Sequence, residues 1–192
     1  MYIVDLFEYG GINSHYCPGE LSDTLLELHS ELSAAGIELG RATIGGFSFG
    51  ASLALMFAIA TRHVGDLILR HGSFNRLATP LGFQTYPRSL VESPRVYDEF
   101  TLVQRASCIQ CRRVLIETSA WDTNESTAPW QSKALHEVLI SCGFDSTLVI
   151  LNNAGHDLEF WQDQRTLYRY ERAWLDGDSM EREAIGDFDS FS

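Results

Sequence analysis

Apolar positions along this chain alternate between short runs of β character and longer stretches with helical spacing. The short runs are Tyr2–Phe7, Arg41–Gly45, Val64–Arg70, Arg113–Glu117 and Thr147–Leu151, each predicted as a strand. Leu21, Leu25, Leu28 and Leu32 recur at helical spacing, and Gly36 supplies the residue that commonly ends a helix. The segment from Ala51 to Ala60 (ASLALMFAIA) is apolar on every side, as a buried helix requires. Pro129 to Cys142 reads as a helix with Leu135, Val138 and Leu139 inward, closed by Gly143. Phe160 to Leu175 reads as a last helix carrying Trp161, Leu167, Tyr170 and Trp174. Between them, residues 72–105 carry the glycine and proline signals of a long loop or small cap.

Strands that alternate with helices imply βαβ units. The expected fold is α/β, a mainly parallel sheet of about five strands with flanking helices. Residues 1–175 form one expected domain, and residues 176–192 an acidic tail expected to fray. Right-handed crossovers would place the connecting helices on one face of the sheet. The other face would then be covered only by the Phe160–Leu175 helix, and the edge strand Tyr2–Phe7 would be open. A homodimer across that edge or face, or an upstream polypeptide, is the expected partner.

Composition narrows the choice of function. In a chain of 192 residues, 45% are hydrophobic and 21% charged, which is a globular balance. A net charge of −12 disfavours phosphate backbones, so nucleic acid is not an expected partner. No apolar run reaches the roughly 18 residues of a membrane span, and MYIVDLFEYGG lacks a basic leader region. No membrane association and a cytoplasmic location are therefore expected. Cys108 and Cys111 form one C-x-x-C without a second ligand pair, so they are read as two thiols leading into a buried strand.

The candidate chemistry begins at Gly46-Phe47-Ser48-Phe49-Gly50, a G-x-S-x-G between a strand and the apolar helix. Such a turn lifts the serine hydroxyl off the sheet, with glycines expected at both ends to avoid clashes. A serine needs a base, and His156 in NAGHD follows the TLVIL strand directly; His71, which also follows a strand end, is the runner-up. The orienting acid should follow the strand before the last crossover helix. Asp122 lies there, with Glu117, Glu125 and Asp157 as weaker competitors. The chain order Ser, Asp, His suits this assignment. The N–H of Phe49 is one expected oxyanion donor, and Gly10 or Gly11 the other. No cofactor or metal is called for.

These motifs together resemble the esterase family that includes enterochelin esterase, within the α/β-hydrolase superfamily. The residues that carry the resemblance are GGFSFGASLAL, LILRHGSFNR, RVLIETSAWD and AGHDLEFW, over residues 37–175. Ala51 and Ser119 stand where that family more often has glycine. The resemblance implies a Ser48, Asp122 and His156 triad acting on small-molecule carboxylic esters, with Trp161 supporting the histidine loop. An acyltransferase using the same triad and a non-catalytic binding module are the alternatives.

Overall fold

In the computed structural model, residues 20–78, 94–152, 154–158 and 161–177 are described. Each strand in them is short, and the polypeptide returns to the starting end of the sheet before the next begins. The strands are β1 (Thr43–Phe47), β2 (Asp66–Arg70), β3 (Arg113–Ser119) and β4 (Asp145–Leu151). They pair in parallel in the order β1-β2-β3-β4. The helices are α1 (Glu20–Ala34), α2 (Phe49–Thr61), α3 (Pro94–Glu99), α4 (Pro129–Ser141) and α5 (Trp161–Asp176).

Alternation along the strands divides the interior in two. On one face Leu67, Leu69, Val114 and Ile116 pack against Leu25 and Leu28 of α1, the buried residues of α2, and Leu135 and Leu139 of α4. On the other, Leu115, Val149 and Leu151 pack against Leu167 and Trp174 of α5. The unbroken apolar sequence of α2 matches its setting: every residue from Ala51 to Ile59 is buried. Two arginines fasten α5 along its C-terminal half. Arg113 lays its guanidinium 4.1 Å from the Trp174 ring centroid and bonds the Trp174 carbonyl at 2.7 Å. Arg70 bridges Glu117, at 2.9 Å, and Glu171 of α5. Thr43, Gly45 and Phe47 of β1 are exposed on the α5 side of the sheet.

Strand limits differ from the sequence reading. β1 begins at Thr43 because Leu39–Arg41 form a 3-10 turn, and it runs on through Gly46 and Phe47, which pair with Leu69 and Arg70. β3 continues through the polar but buried Thr118 and Ser119, and β4 starts at Asp145, because the two form a seven-residue ladder from Arg113↔Asp145 to Ser119↔Leu151. Polar residues there hid the strand from its pattern. Residues 72–105 contain α3 and most of a 3-10 segment, Leu102–Cys108. The Tyr2–Phe7 strand lies outside the described residues, as do Gly10 and Gly11, most of the tail, and residues 79–93 of the expected cap.

Candidate active site

Ser48 stands alone between the last residue of β1 and the first of α2, at φ 54° and ψ −121°. Few residues other than glycine adopt positive φ, and a serine held there is set by what flanks it. Its N–H bonds the Arg70 carbonyl at 2.8 Å, continuing the β1–β2 ladder one residue beyond the strand. The two motif glycines are not equivalent. A Cβ on Gly46 would lie 2.2 Å from the Gly50 carbonyl, whereas one on Gly50 would meet nothing within 4 Å. The expectation that both glycines relieve a clash is therefore corrected: the turn requires the first one only.

Asp122 and His156 come from the loops after β3 and β4. Two backbone bonds clamp these loops side by side, Ala120 N–H to Leu151 O at 2.8 Å and Trp121 N–H to Ala154 O at 3.3 Å. The clamp brings the three predicted residues into one line. His156 Nε2 lies 3.0 Å from Ser48 Oγ, and His156 Nδ1 lies 2.8 Å from Asp122 Oδ2. The other carboxylate oxygen, Oδ1, accepts the Asn124 N–H at 2.9 Å, an Asx turn that fixes the side chain's rotation. Glu117 sits inside β3 on Arg70, and Asp157 is exposed, so Asp122 is the carboxylate that meets the imidazole.

Two participants were not assigned these places from the sequence. Thr127 is buried; its hydroxyl donates to Asp122 Oδ2 at 3.0 Å and lies 3.0 Å from His156 Nδ1. Its only signal was a position five residues beyond Asp122 in a polar turn. His71, the runner-up base, is wholly buried at φ 50°, with Nε2 3.1 Å from Ser119 Oγ and Nδ1 3.7 Å from Asp122 Oδ2. The half-exposed ring of Phe47 lies against both histidines, with centroids 5.6 Å from His71 and 5.2 Å from His156.

The two imidazoles are pushed in opposite directions. The hydrogen bond that His156 donates to Asp122, helped by the charges of Asp122 and Asp157, raises the pKa of His156 against the opposing effect of burial. Burial lowers that of His71 to about 4, aided by the charges of His156 and Arg70 and only partly offset by the Asp122 charge and an interaction with the His156 backbone. Among the described residues, His71, Asp122 and His156 are also the one group whose ligand atoms lie close enough, within 4.8 Å, to share a metal ion. Cys108 and Cys111 are free thiols, and burial pushes Cys111 up to about 11, which leaves it a poor nucleophile at neutral pH. Trp161 opens α5, but its side chain is not among those described.

The chain is similar to known proteins in sequence and in fold. The chain is 31% identical over 136 residues to the probable glutamyl endopeptidase, chloroplastic, of Arabidopsis thaliana, a match covering 66% of this chain. The matched segment spans only 14% of that protein's length. Among solved structures, it resembles Porphyromonas gingivalis dipeptidyl peptidase 4 with a TM-score of 0.69 at 17% identity, over 83% of this chain and 22% of that one. It also resembles a carboxylesterase from Lactobacillus plantarum with a TM-score of 0.63 at 11% identity, over 86% of this chain and 70% of that one. No family model matches the chain. The fold is that of the α/β-hydrolases. These matches do not single out the enterochelin-esterase branch. Among the described residues, no helix is long and apolar enough to cross a membrane.

Proposed function

We propose that this chain is a serine hydrolase that cleaves an acyl bond through an acyl-enzyme on Ser48. The observation that carries the reading is the continuous relay from Ser48 Oγ through both nitrogens of His156 to Asp122. Ser48 Oγ attacks the substrate carbonyl carbon while His156 Nε2 takes its proton, and Asp122 holds the imidazole tautomer and steadies the imidazolium. His156 then returns that proton to the leaving oxygen as the acyl–oxygen bond breaks. Water, deprotonated by the same nitrogen, then adds to the acyl carbon; the acyl–Oγ bond breaks, His156 returns the proton to Ser48 Oγ, and the acid is released. The Phe49 N–H, in the first turn of α2 directly after Ser48, would face the oxyanion, with Gly10 or Gly11 as the expected second donor.

Carboxylic esters are the first substrate class of this reading. A peptide bond is the second, favoured by the 31% identity to a protein named as an endopeptidase. The test is labelling by a fluorophosphonate probe with mass mapping to Ser48, alongside hydrolysis of a short activated ester and of a peptide panel. Labelling that persists in Ser48→Ala, or an unlabelled folded protein, would refute the reading. Product analysis with added alcohol or amine acceptors separates hydrolysis from acyl transfer.

A further inference from the structure

We propose that His71 is a positioning residue for Asp122, a second and neutral imidazole that turns its Nδ1–H toward the carboxylate oxygen bonded by His156. The inference rests on the catalytic reading above and adds to it. His71 directly follows β2, where its N–H bonds the Glu117 carbonyl at 2.8 Å. Its ring is wholly enclosed, and Nδ1 has no hydrogen bond of ordinary length.

A neutral imidazole carries one proton, and its surroundings decide where. With the proton on Nε2, the Nδ1 lone pair would face an ionised oxygen at 3.7 Å, which is repulsive. With the proton on Nδ1, the Ser119 hydroxyl donates into Nε2 at 3.1 Å and the N–H dipole points toward the carboxylate. The second tautomer satisfies both sides. At 3.7 Å the contact with Asp122 is longer than a hydrogen bond, so it is a dipole facing a charge. Such contacts tighten as charge develops along the relay. Burial keeps His71 uncharged at neutral pH, so it supports the anion without competing for its negative charge.

Donors that stabilise a carboxylate make it less basic. With His71 in place, Asp122 pulls less strongly on the His156 proton than it would alone. The other charged groups acting on the two histidines are Arg70, near His71, and Asp157, near His156. His71→Phe keeps an aromatic ring and removes the N–H. It should lower kcat by up to about tenfold, less than the loss of a full hydrogen bond to a charged group would. KM should hardly change, and the midpoint of the kcat/KM pH profile should move upward. His71→Asn puts an amide nitrogen near the place of Nδ1 and tolerates positive φ. It should restore most of kcat and return the midpoint.

A His71→Phe variant with wild-type kcat and midpoint would overturn the proposal. So would an Asn variant no better than Phe, since ring volume would then be the cause. If Phe prevents folding, judged by circular dichroism, the comparison moves to His71→Asn against His71→Gln, whose amide reaches the Ser119 side instead. The proposal requires Asn to be the more active, and the reverse order overturns it. Failure of the catalytic reading looks different: wild-type protein would neither label at Ser48 nor hydrolyse, and both ideas would fall together.

Discussion

Replacing Asp122 by asparagine should be more damaging than removing its side chain altogether, and the structure supplies the reason. Asp122 Oδ1 accepts a hydrogen bond from the backbone N–H of Asn124, which cannot become an acceptor. In Asp122→Asn the amide oxygen must therefore occupy that position, and the NH₂ group must take the place of Oδ2. There it faces His156 Nδ1 at about the present 2.8 Å and can only donate. The imidazole is driven to carry its proton on Nε2, the nitrogen 3.0 Å from Ser48 Oγ, and can no longer accept one from the serine. Thr127 does not oppose this, because its hydroxyl can turn to accept from the new NH₂. A wrong tautomer of this kind lowers kcat by roughly 10⁴-fold. Asp122→Ala leaves the imidazole free to sample both tautomers and should retain more activity. The assay is kcat/KM for a chromogenic acetate ester from about pH 5 to 9, the range over which imidazole titrates. Circular dichroism checks that both variants fold. If Asp122→Asn exceeds Asp122→Ala, or keeps more than about a tenth of wild-type kcat/KM, the tautomer reasoning is wrong.

Other expectations concern the rest of the site. His156 must be neutral to act, and its pKa is raised from 6.5, so kcat/KM should climb with pH through a midpoint above 6.5. A flat profile across that range would exclude it as the base. Gly46→Ala should abolish activity and destabilise the domain, because its Cβ would overlap the Gly50 carbonyl at 2.2 Å, while Gly50→Ala should hydrolyse and melt nearly as wild type. Equal effects in thermal melts and ester assays would contradict that asymmetry. Burial pushes the Glu117 carboxyl up to about 8 against the opposing pull of Arg70, so Arg70→Met should leave it protonated at neutral pH; the loss in urea unfolding should grow as pH rises above 8, and Glu117→Gln should remove that pH dependence.

What could be read in the sequence, and what could not, follows from how each feature is encoded. The elements with strong local patterns were legible: the all-apolar α2 and the VLI and LVIL runs of β3 and β4 announce themselves. Strand ends were not, because Gly46 and Ser119 have no β signature, Thr118 is polar beside them, and all three are held in the sheet by their neighbours in register. The meeting of Ser48, Asp122 and His156 was foreseeable, since all three follow strands of one parallel sheet and so emerge at the same edge. Thr127 and His71 were not assigned their places, because their contacts depend on the packing of loops that only the clamp between residues 120–121 and 151–154 brings together. Gly50 was misjudged for a related reason. A motif shows which residues recur, but only coordinates show that its Cβ would point into open space.

Two histidines approach the same oxygen of Asp122, and pattern alone could not rank them beyond chain order. Solvent separates them. A base must carry a positive charge for part of each turnover, and burying an isolated charge is costly. The His71 side chain is 0% exposed, and burial alone outweighs the carboxylate beside it, leaving the ring neutral well below the working pH of a neutral-acting enzyme. The His156 side chain is 17% exposed, and there the bond to Asp122 prevails over burial, so the imidazolium is tolerated. Nitrogen availability agrees: His71 gives Nε2 to Ser119, whereas His156 gives Nε2 to Ser48. The same carboxylate thus meets one imidazole that can take a proton and one that cannot. Only the first suits a base, and only the second can brace Asp122 without titrating along with it.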